Sequence, residues 1–438
     1  MLTTLRNAFK VKDIRNKLYF TIFMLIIVRA GCQIPVPGVN NSSIVNFMEE
    51  HSGDAFNFFD AMTGGSFMSM SIFALNITPY ITSSIIMQLL TIAIPRLEEL
   101  QKDGEDGRKV ILKITRYLTV GLAVFESLAI AIGFGRSGLY EEFTWYYVAV
   151  TVITLTAGSA ILMWIGEQIT EYGVGNGISI VLLINIVSSL PDDLRELFTR
   201  FTSGQNVLTS VFAIAVIIIL IVAMVAFTVM LQEAIRRIPV QYAKRVQGRK
   251  MVGGQSSHIP LKVNTAGVIP VIFASSLLMT PVVIAQFFNV DYSTIGGKIL
   301  LTLNSGNWCN PQEPIYSIGF VIYCVLIILF AYFYTSITFN PVEVANNMKK
   351  QGGFVTGIRP GKPTSDYLQK ILNYIVFIGA VGLLIVCAIP IIVSGIFNVS
   401  HMSFMGTSLI IIVGVVLETL NQIESQMTVR SYKGFLND

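Results

Sequence analysis

The segment Val207–Met230, VLTSVFAIAVIIILIVAMVAFTVM, decides the fold class because its 24 residues carry no charge. A helix needs about 20 apolar residues to cross the hydrocarbon layer of a bilayer. Across the 438 residues of the chain, 53% are hydrophobic and only 13% are charged. This is too little charge to cover the surface of a soluble protein. The sequence therefore predicts an all-α membrane protein.

Nine further apolar runs resemble this one in length and composition, so the sequence predicts ten transmembrane helices. The nine runs have their centres near Phe23, Ile85, Leu122, Ile153, Leu183, Phe273, Val325, Ile378 and Ile412. Pro79, Pro270 and Pro281 interrupt some of the runs. Membrane helices tolerate such breaks when neighbouring helices satisfy the freed backbone groups.

The basic residues lie on one side of this predicted topology. Of the 30 Lys and Arg residues, 25 fall in the N-terminal tail, in the loops after spans 2, 6 and 8, and in the C-terminal tail. The loop from Gly31 to Ser71, on the opposite side, has no Lys or Arg. Because basic loops stay in the cytoplasm, we expect both termini to be cytoplasmic.

Ten spans divide into two sets of five, and a duplicated set of five must enter the membrane in the opposite orientation. A Pro, an Ile two residues later and a Ser pair recur in Thr78–Ser84 and Ile269–Ser276. We therefore expect an N-terminal half, residues 1–195 with spans 1–5, and a C-terminal half, residues 196–438 with spans 6–10. The second half would contain two large cytoplasmic loops, 232–264 and 339–370. Secondary transporters also use inverted repeats and remain the alternative.

Motifs that carry chemistry are few. Arg29, Glu126 and Glu418 are the ionisable candidates at membrane depth. We interpret them as snorkelling groups or structural ion pairs rather than as an ion-coupled site. Gly173–Gly177 follows no strand and precedes no P-loop lysine, so we expect a tight turn with positive φ. Since the three histidines are isolated, we expect no catalysis, no metal and no cofactor.

Two features go beyond a simple bundle of helices. The segment Ala55–Ser66 is apolar but too short to span, and predicts either a re-entrant helix or an interfacial helix on the outer leaflet. The loops Arg236–Lys262 and Asn340–Lys370 carry seven and five positive charges. That surplus predicts a polyanionic partner, RNA or an acidic protein, or else contact with anionic lipid headgroups. A membrane-anchored scaffold for RNA or ribosomes is thus a third interpretation.

Eight short motifs follow one another over nearly the whole chain. They are Ile34–Val39, Ser71–Ile81, Gly175–Ser179, Arg236–Arg245, Leu261–Pro270, Asn340–Asn347, Gly357–Gly361 and Gly406–Ser408. In order and spacing they resemble the SecY/Sec61-alpha family, the central subunits of Sec protein-translocation channels. The resemblance implies an hourglass pore with a plug in the bacterial cytoplasmic (inner) membrane. Unfolded secretory polypeptides would cross through it, and transmembrane segments would leave it sideways into lipid.

The resemblance also assigns roles to residues of this sequence. A constricting ring of aliphatic side chains, which dewets and so blocks ions, would consist of Ile81, Ile85, Ile180, Ile184, Ile272 and Ile411. The plug would be the segment 55–70, with Phe58, Phe59, Met62, Gly64, Gly65 and Phe67. The lateral gate between spans 2–3 and 7–8 would have as polar contacts Ser84 and Gln88 on span 2 and Asn264, Ser275 and Ser276 on span 7.

The family's partners complete the expectation. The basic loops would dock the ATPase SecA and the RNA of the ribosome through Arg245, Arg249, Lys250 and Arg359. Other expected partners are the SecE and SecG subunits, signal peptides, nascent chains and the lipid bilayer. ATP hydrolysis or translation would supply the driving force from outside the chain.

Overall fold

The computed structural model describes residues 6, 9–39, 60, 63–135, 140, 143–202, 207–242, 245–247, 250–252, 256–286, 294–309, 312–397 and 405–434. Most of these residues are helical. Numbered in chain order, the helices are α1 (Lys12–Gly31), α2 (Thr78–Ala93), α3 (Pro95–Lys102), α4 (Glu105–Phe134), α5 (Trp145–Tyr172), α6 (Gly177–Thr202), α7 (Val207–Glu233), α8 (Ile269–Gln286), α9 (Ile295–Leu303), α10 (Ile318–Thr338), α11 (Pro341–Lys350), α12 (Lys362–Phe397) and α13 (Met405–Gly434).

Each of the ten predicted apolar runs has its centre in a separate helix. By length and hydropathy, six helices of the described chain can cross a membrane, or seven if α2 and α3 form one bent span. Segments within α6 and α8 are apolar but shorter, and each of these helices contains a proline, Pro191 and Pro281. In α1, basic residues at both ends lower the hydropathy. The number of spans therefore stays a prediction.

A sharp bend follows α2. The axes of α2 and α3 differ by 107°, and the residue between them, Ile94, has extended backbone angles. Pro95 causes this, because a proline disfavours the helical region for the residue before it. Since its own N–H is missing, Pro95 is well suited to begin the next helix.

Strands lie in the loops that follow α7 and α10, and the sequence analysis did not predict them. The strand β1 (Ile235–Tyr242) pairs antiparallel with β4 (Ser256–Lys262) and with β5 (Gly353–Val355). In this sheet Ile238 faces Ile259, and Val240 faces Ser257 on one side and Val355 on the other. A separate hairpin pairs β2 (Arg245–Gln247) with β3 (Lys250–Val252). The chain is thus mainly helical, and a small sheet forms from the segments that connect its apolar helices.

The alternation of side chains along β1 explains why it is a strand. Ile238 and Val240 are buried, whereas their neighbours Arg237, Pro239 and Gln241 are exposed. The buried pair belongs to a hydrophobic cluster with Leu261, Met348, Val355, Leu368 and Ile375. The cluster fastens the sheet to α11 and to the beginning of α12.

The chain divides into two compact units. One comprises Met1–Ser203, Val283–Asp291 and Val415–Asp438, and the other comprises Gly204–Val282 and Tyr292–Gly414. The first holds α1 to α6, and the second holds α7, α9 to α12 and the sheet. The halves expected at 1–195 and 196–438, and their inverted relation, stay predictions.

Candidate functional site

Residues 63–77, which we call the return segment, lead from the loop after α1 into α2. They form a series of turns. Backbone hydrogen bonds tie them to the residues after α1, from Val36 N to Met70 O at 2.9 Å and from Ile72 N to Ile34 O at 2.9 Å. Buried hydrophobic side chains of the segment share a cluster with residues of α4 and α5, among them Phe67, Met70, Ala123, Val148 and Leu155. The return segment is therefore packed against protein.

A polar network joins the return segment to α1 and α6. The Nη1 atom of Arg29 donates to the carbonyl oxygen of Gly64 at 3.3 Å and to Asn185 Oδ1 at 3.5 Å. Asn185 Nδ2 donates to Asn76 Oδ1 at 3.0 Å. Both asparagines are buried, with 1% exposure each. Because buried polar groups are costly unless they are hydrogen-bonded, these side chains stabilise one another's positions.

The glycine in this network can hardly be replaced. Gly64 has a φ of +67°, which side-chain-bearing residues rarely adopt. A Cβ there would lie 2.6 Å from both the carbonyl oxygen of Asn185 and Ser188 Oγ. The next residue, Gly65, has a similar φ of +81°, but a Cβ there would meet nothing within 4 Å. Backbone conformation thus requires a glycine at both positions, whereas close approach to α6 requires it only at Gly64.

The described partners of Arg29 are two neutral oxygens. Whether this residue is a snorkelling group or part of an ion pair, the two alternatives expected from the sequence, stays a prediction. Cys32, in the turn after α1, is buried nearby. Burial raises the pKa of its thiol, and Arg29 and a hydrogen bond with Ser66 oppose that shift. The positive charge of Arg29 therefore lies in a partly buried environment without a described carboxylate beside it.

The structure describes three of the predicted plug residues. Gly64 and Gly65 form the turn just discussed, and Phe67 is buried at 6% exposure. Phe58, Phe59 and Met62 lie outside the described residues, so the choice between a re-entrant and an interfacial helix stays open.

The residues predicted for the pore ring lie on four helices. Ile81 and Ile85 are half-buried on α2, and Ile184 is half-buried on α6. Ile180 is buried and packs against the turn at Gly175, where φ is +83° as expected from the sequence. In the other unit, Ile272 is half-buried on α8 and Ile411 is buried on α13. Whether the six close into one ring stays a prediction.

The predicted gate contacts include one correction of position. Ser84 and Gln88 lie on α2, half-buried, and Ser275 and Ser276 lie on α8 as expected. Asn264 instead lies in the turn before α8, which begins at Ile269, because β4 continues to Lys262. Asn264 is 6% exposed, and its Nδ2 has no hydrogen-bond partner within the part of the chain that the structure describes. Ser275 Oγ donates to carbonyl oxygens of its own helix.

The described docking residues lie on the β2–β3 hairpin and in the turn after β5. Arg359 is exposed in the turn between β5 and α12, where Gly357 and Gly361 both have positive φ. Arg245 and Lys250 lie on the paired strands β2 and β3, and Arg249 lies outside the described residues. Because β1 pairs with β5, the sheet joins the loop after α7 to the loop after α10. The two longest basic loops are therefore parts of one structure.

Sequence reasoning missed both the polar network and the sheet. Asn76 and Asn185 were ordinary polar residues in apolar runs, and no local pattern pairs residues 109 positions apart. The alternation from Arg236 to Gln241 was a readable strand signal, but the run of charges was interpreted only as a docking loop. Across the described residues, no group of three or more His, Cys, Asp or Glu side chains could hold a metal ion.

Comparison with known proteins gives consistent matches. The sequence profile of the SecY family matches residues 71–420. The protein translocase subunit SecY of Halalkalibacterium halodurans is 42% identical over 442 residues, covering all of both chains.

Solved structures agree in fold at lower identity. One is of a SecY protein whose plug domain is described as stabilising the closed state of the translocation channel. It has a TM-score of 0.61 and 19% identity, and the match covers 95% of this chain and 93% of that one. Canine Sec61 in a ribosome–channel complex from the endoplasmic reticulum has a TM-score of 0.58 and 17% identity, with the same coverage. This chain is therefore a multi-pass membrane protein that belongs to the SecY family.

Proposed function

We infer that this chain forms the channel through which unfolded polypeptide crosses its membrane. A SecY-family member is a protein-translocation channel and not an enzyme, and the family relationship covers the whole chain. The absence of an ion-coupled cluster in the sequence supports a passive conduit, with the driving force supplied by a partner.

The architecture that fits this function is an hourglass of ten spans in two inverted halves, residues 1–195 and 196–438. Its constriction would be formed by Ile81, Ile85, Ile180, Ile184, Ile272 and Ile411. Aliphatic side chains suit this role because they exclude water and ions yet form no fixed hydrogen bonds with a passing chain. The ten apolar runs, each in a helix of its own, support the proposal.

The observation that carries the proposal is the attachment of the return segment. A channel for polypeptides must close at rest and open in use. The contacts that hold its plug must therefore be noncovalent and reversible. The contacts of Arg29 with Gly64 and Asn185 are of this kind, because two long hydrogen bonds can break and form again. The return segment shares residues 63–70 with the plug 55–70, so these contacts would hold the C-terminal part of the plug.

Lateral release of transmembrane segments would use the side of the channel between α2 and α8. Asn264 supports this assignment, since its buried amide nitrogen, which has no hydrogen-bond partner among the described residues, is available to bond when the helices move. Ser84, Gln88, Ser275 and Ser276 would be its neighbours along the gate.

The two basic loops that the sheet joins would be the docking surface for SecA and the ribosome, through Arg245, Arg249, Lys250 and Arg359. Their joining by the sheet supports a single surface, because clustered charges attract a polyanion more strongly than scattered ones. SecE and SecG would complete the complex in the cytoplasmic membrane, with both termini of this chain in the cytoplasm. The charge asymmetry of the loops supports that orientation.

The test is reconstitution of the full chain with SecE and SecG in liposomes. With SecA and ATP, an unfolded secretory protein should become protected from added protease, and omission of ATP should abolish the protection. A secondary transporter would instead give saturable uptake of a small solute and no protection of the polypeptide.

A further inference from the structure

Helix α9 (Ile295–Leu303) connects α8 to α10 along the chain. The predicted topology puts it on the side of the membrane opposite the basic loops. Its nine residues make a helix of about 13 Å, too short to span a bilayer. The residue before it, Thr294, is its N-cap, because Thr294 Oγ1 accepts a hydrogen bond from Gly297 N at 3.2 Å. This short capped helix is therefore an element in its own right.

The C-terminal end of α9 is fixed to the first turns of α10. Trp308 Nε1 donates to the carbonyl oxygen of Thr302 at 2.8 Å. Trp308 is 2% exposed, and its ring packs at a tilt against Tyr323 of α10, with 5.3 Å between the ring centroids. Gly319 of α10 leaves no room for a Cβ, because Thr302 and Trp308 lie against it. The end of α9 is thus level with the beginning of α10.

That level corresponds to the edge of the hydrocarbon layer. Helix α10 has 21 residues, about 31 Å at 1.5 Å per residue, which matches a hydrocarbon thickness of about 30 Å. Its first residue therefore lies at the membrane boundary. Exposed apolar side chains already surround this point, namely Ile315, Ile318, Val321 and Ile322.

The outward face of α9 is apolar. Ile295 is 81% exposed and Ile299 is 56% exposed, and residues four apart lie on the same face of a helix. Gly297, on the other side, is buried against protein. Lys298 is exposed beside the two isoleucines, where a long side chain can place its ammonium group among phosphates while its stem stays apolar.

We propose that α9 is an interfacial helix embedded in the lipid leaflet opposite the basic loops, with Ile295 and Ile299 among the acyl chains and Lys298 at the headgroups. The occupant of this face is lipid because the face continues the lipid-exposed surface of α10 at the same depth. Such a helix anchors the connection between α8 and α10 to the membrane surface.

The test measures how deep single side chains of α9 lie. A nitroxide label is attached to Ile295→Cys or Ile299→Cys in the full chain, purified with its accessory subunits in liposomes. Collisions with oxygen, which concentrates in lipid, are compared with collisions with a water-soluble nickel chelate. The unchanged chain has four cysteines of its own. It is therefore treated with the same label, and its signal is subtracted. Val325→Cys on α10 and Ser257→Cys on β4, both exposed, are the lipid and water references.

We expect both α9 labels to favour oxygen severalfold over the chelate, as at Val325. Values like those at Ser257 would place α9 in water and overturn the proposal. Low collision rates with both reagents would show a protein covering this face, which would also overturn it. As a second measurement, Ile299→Trp should add fluorescence that lipids brominated on their acyl chains quench.

Discussion

At the scale of single residues, Gly64 is constrained both by the backbone conformation of the return segment and by its contact with α6. Its φ is positive, and the backbone of Asn185 and the hydroxyl of Ser188 leave no space for a side chain. Gly65 shares the first constraint without the second. The pair therefore separates the effect of backbone strain from the effect of close packing.

We predict that Gly64→Ala loosens the return segment more than Gly65→Ala does. Both changes should cost about 1–2 kcal/mol for the left-handed conformation, and only Gly64→Ala adds a clash with α6, about 1–3 kcal/mol more. In planar bilayers, the ion conductance of the resting complex should be roughly ten times higher with Gly64→Ala than with Gly65→Ala. Equal conductance of the two variants would show that the contact with α6 does not hold the segment.

Arg29 gives a second prediction at this scale. Arg29→Gln removes the donor that reaches Gly64 and Asn185 and leaves Asn185 Oδ1 without this partner. Because both hydrogen bonds are long, we expect a loss of about 1 kcal/mol, which is roughly a fivefold rise in resting conductance. The control is Arg15→Gln at the other end of α1. If both variants conduct like the unchanged chain, Arg29 has no part in closure.

At the scale of elements, the sheet changes the meaning of the basic loops. Sequence charge alone described two separate loops, whereas β1 pairs with both β4 and β5 and so joins them. The turn with Arg359 directly follows β5 and leads into α12. Its orientation is therefore set by the packed cluster beneath the sheet.

We predict that Arg359→Glu impairs SecA-dependent translocation in liposomes at least tenfold without changing the amount of chain in the membrane. The physical reason is the reversal of one charge on the proposed docking surface for a polyanionic or acidic partner. The matched control is Lys113→Glu, an exposed basic residue on α4 of the same predicted membrane side. An equal loss in both variants would point to net charge rather than to the sheet.

The helices were predicted from the sequence, whereas the strands and the bend after α2 were not, although Pro95 and the alternation along β1 were local signals for the bend and for one strand. Long apolar runs such as Val207–Met230 specify a helix on their own, because a bilayer forces backbone groups to bond within the segment. The strand β1 contains Pro239 and is stabilised by partners distant in sequence. Likewise, Arg29 finds Asn185 only after folding, and its pairing leaves no trace in local spacing.

At the scale of the whole molecule, the account joins three features of one chain. In the proposed channel, apolar helices would form the wall, the contacts of Gly64 with Arg29 and α6 would hold the plug and release it, and the sheet would help to bind the partner that drives translocation. The two compact units contribute differently, since the contacts of Gly64 belong to the first and the sheet to the second. A polypeptide channel needs all three, and a small-solute transporter needs neither the sheet nor contacts that hold a plug.

The most direct test of the channel is crosslinking of a stalled secretory polypeptide to photoreactive groups placed at Ile85 on α2 and Ile272 on α8. Groups at Ile153 on α5 and Val325 on α10, exposed at 69% and 57%, are the controls. The account predicts adducts at Ile85 and Ile272 that are several times more abundant than at the controls. Adducts at Ile85 and Ile272 no more frequent than at Ile153 and Val325 would contradict a polypeptide path along α2 and α8.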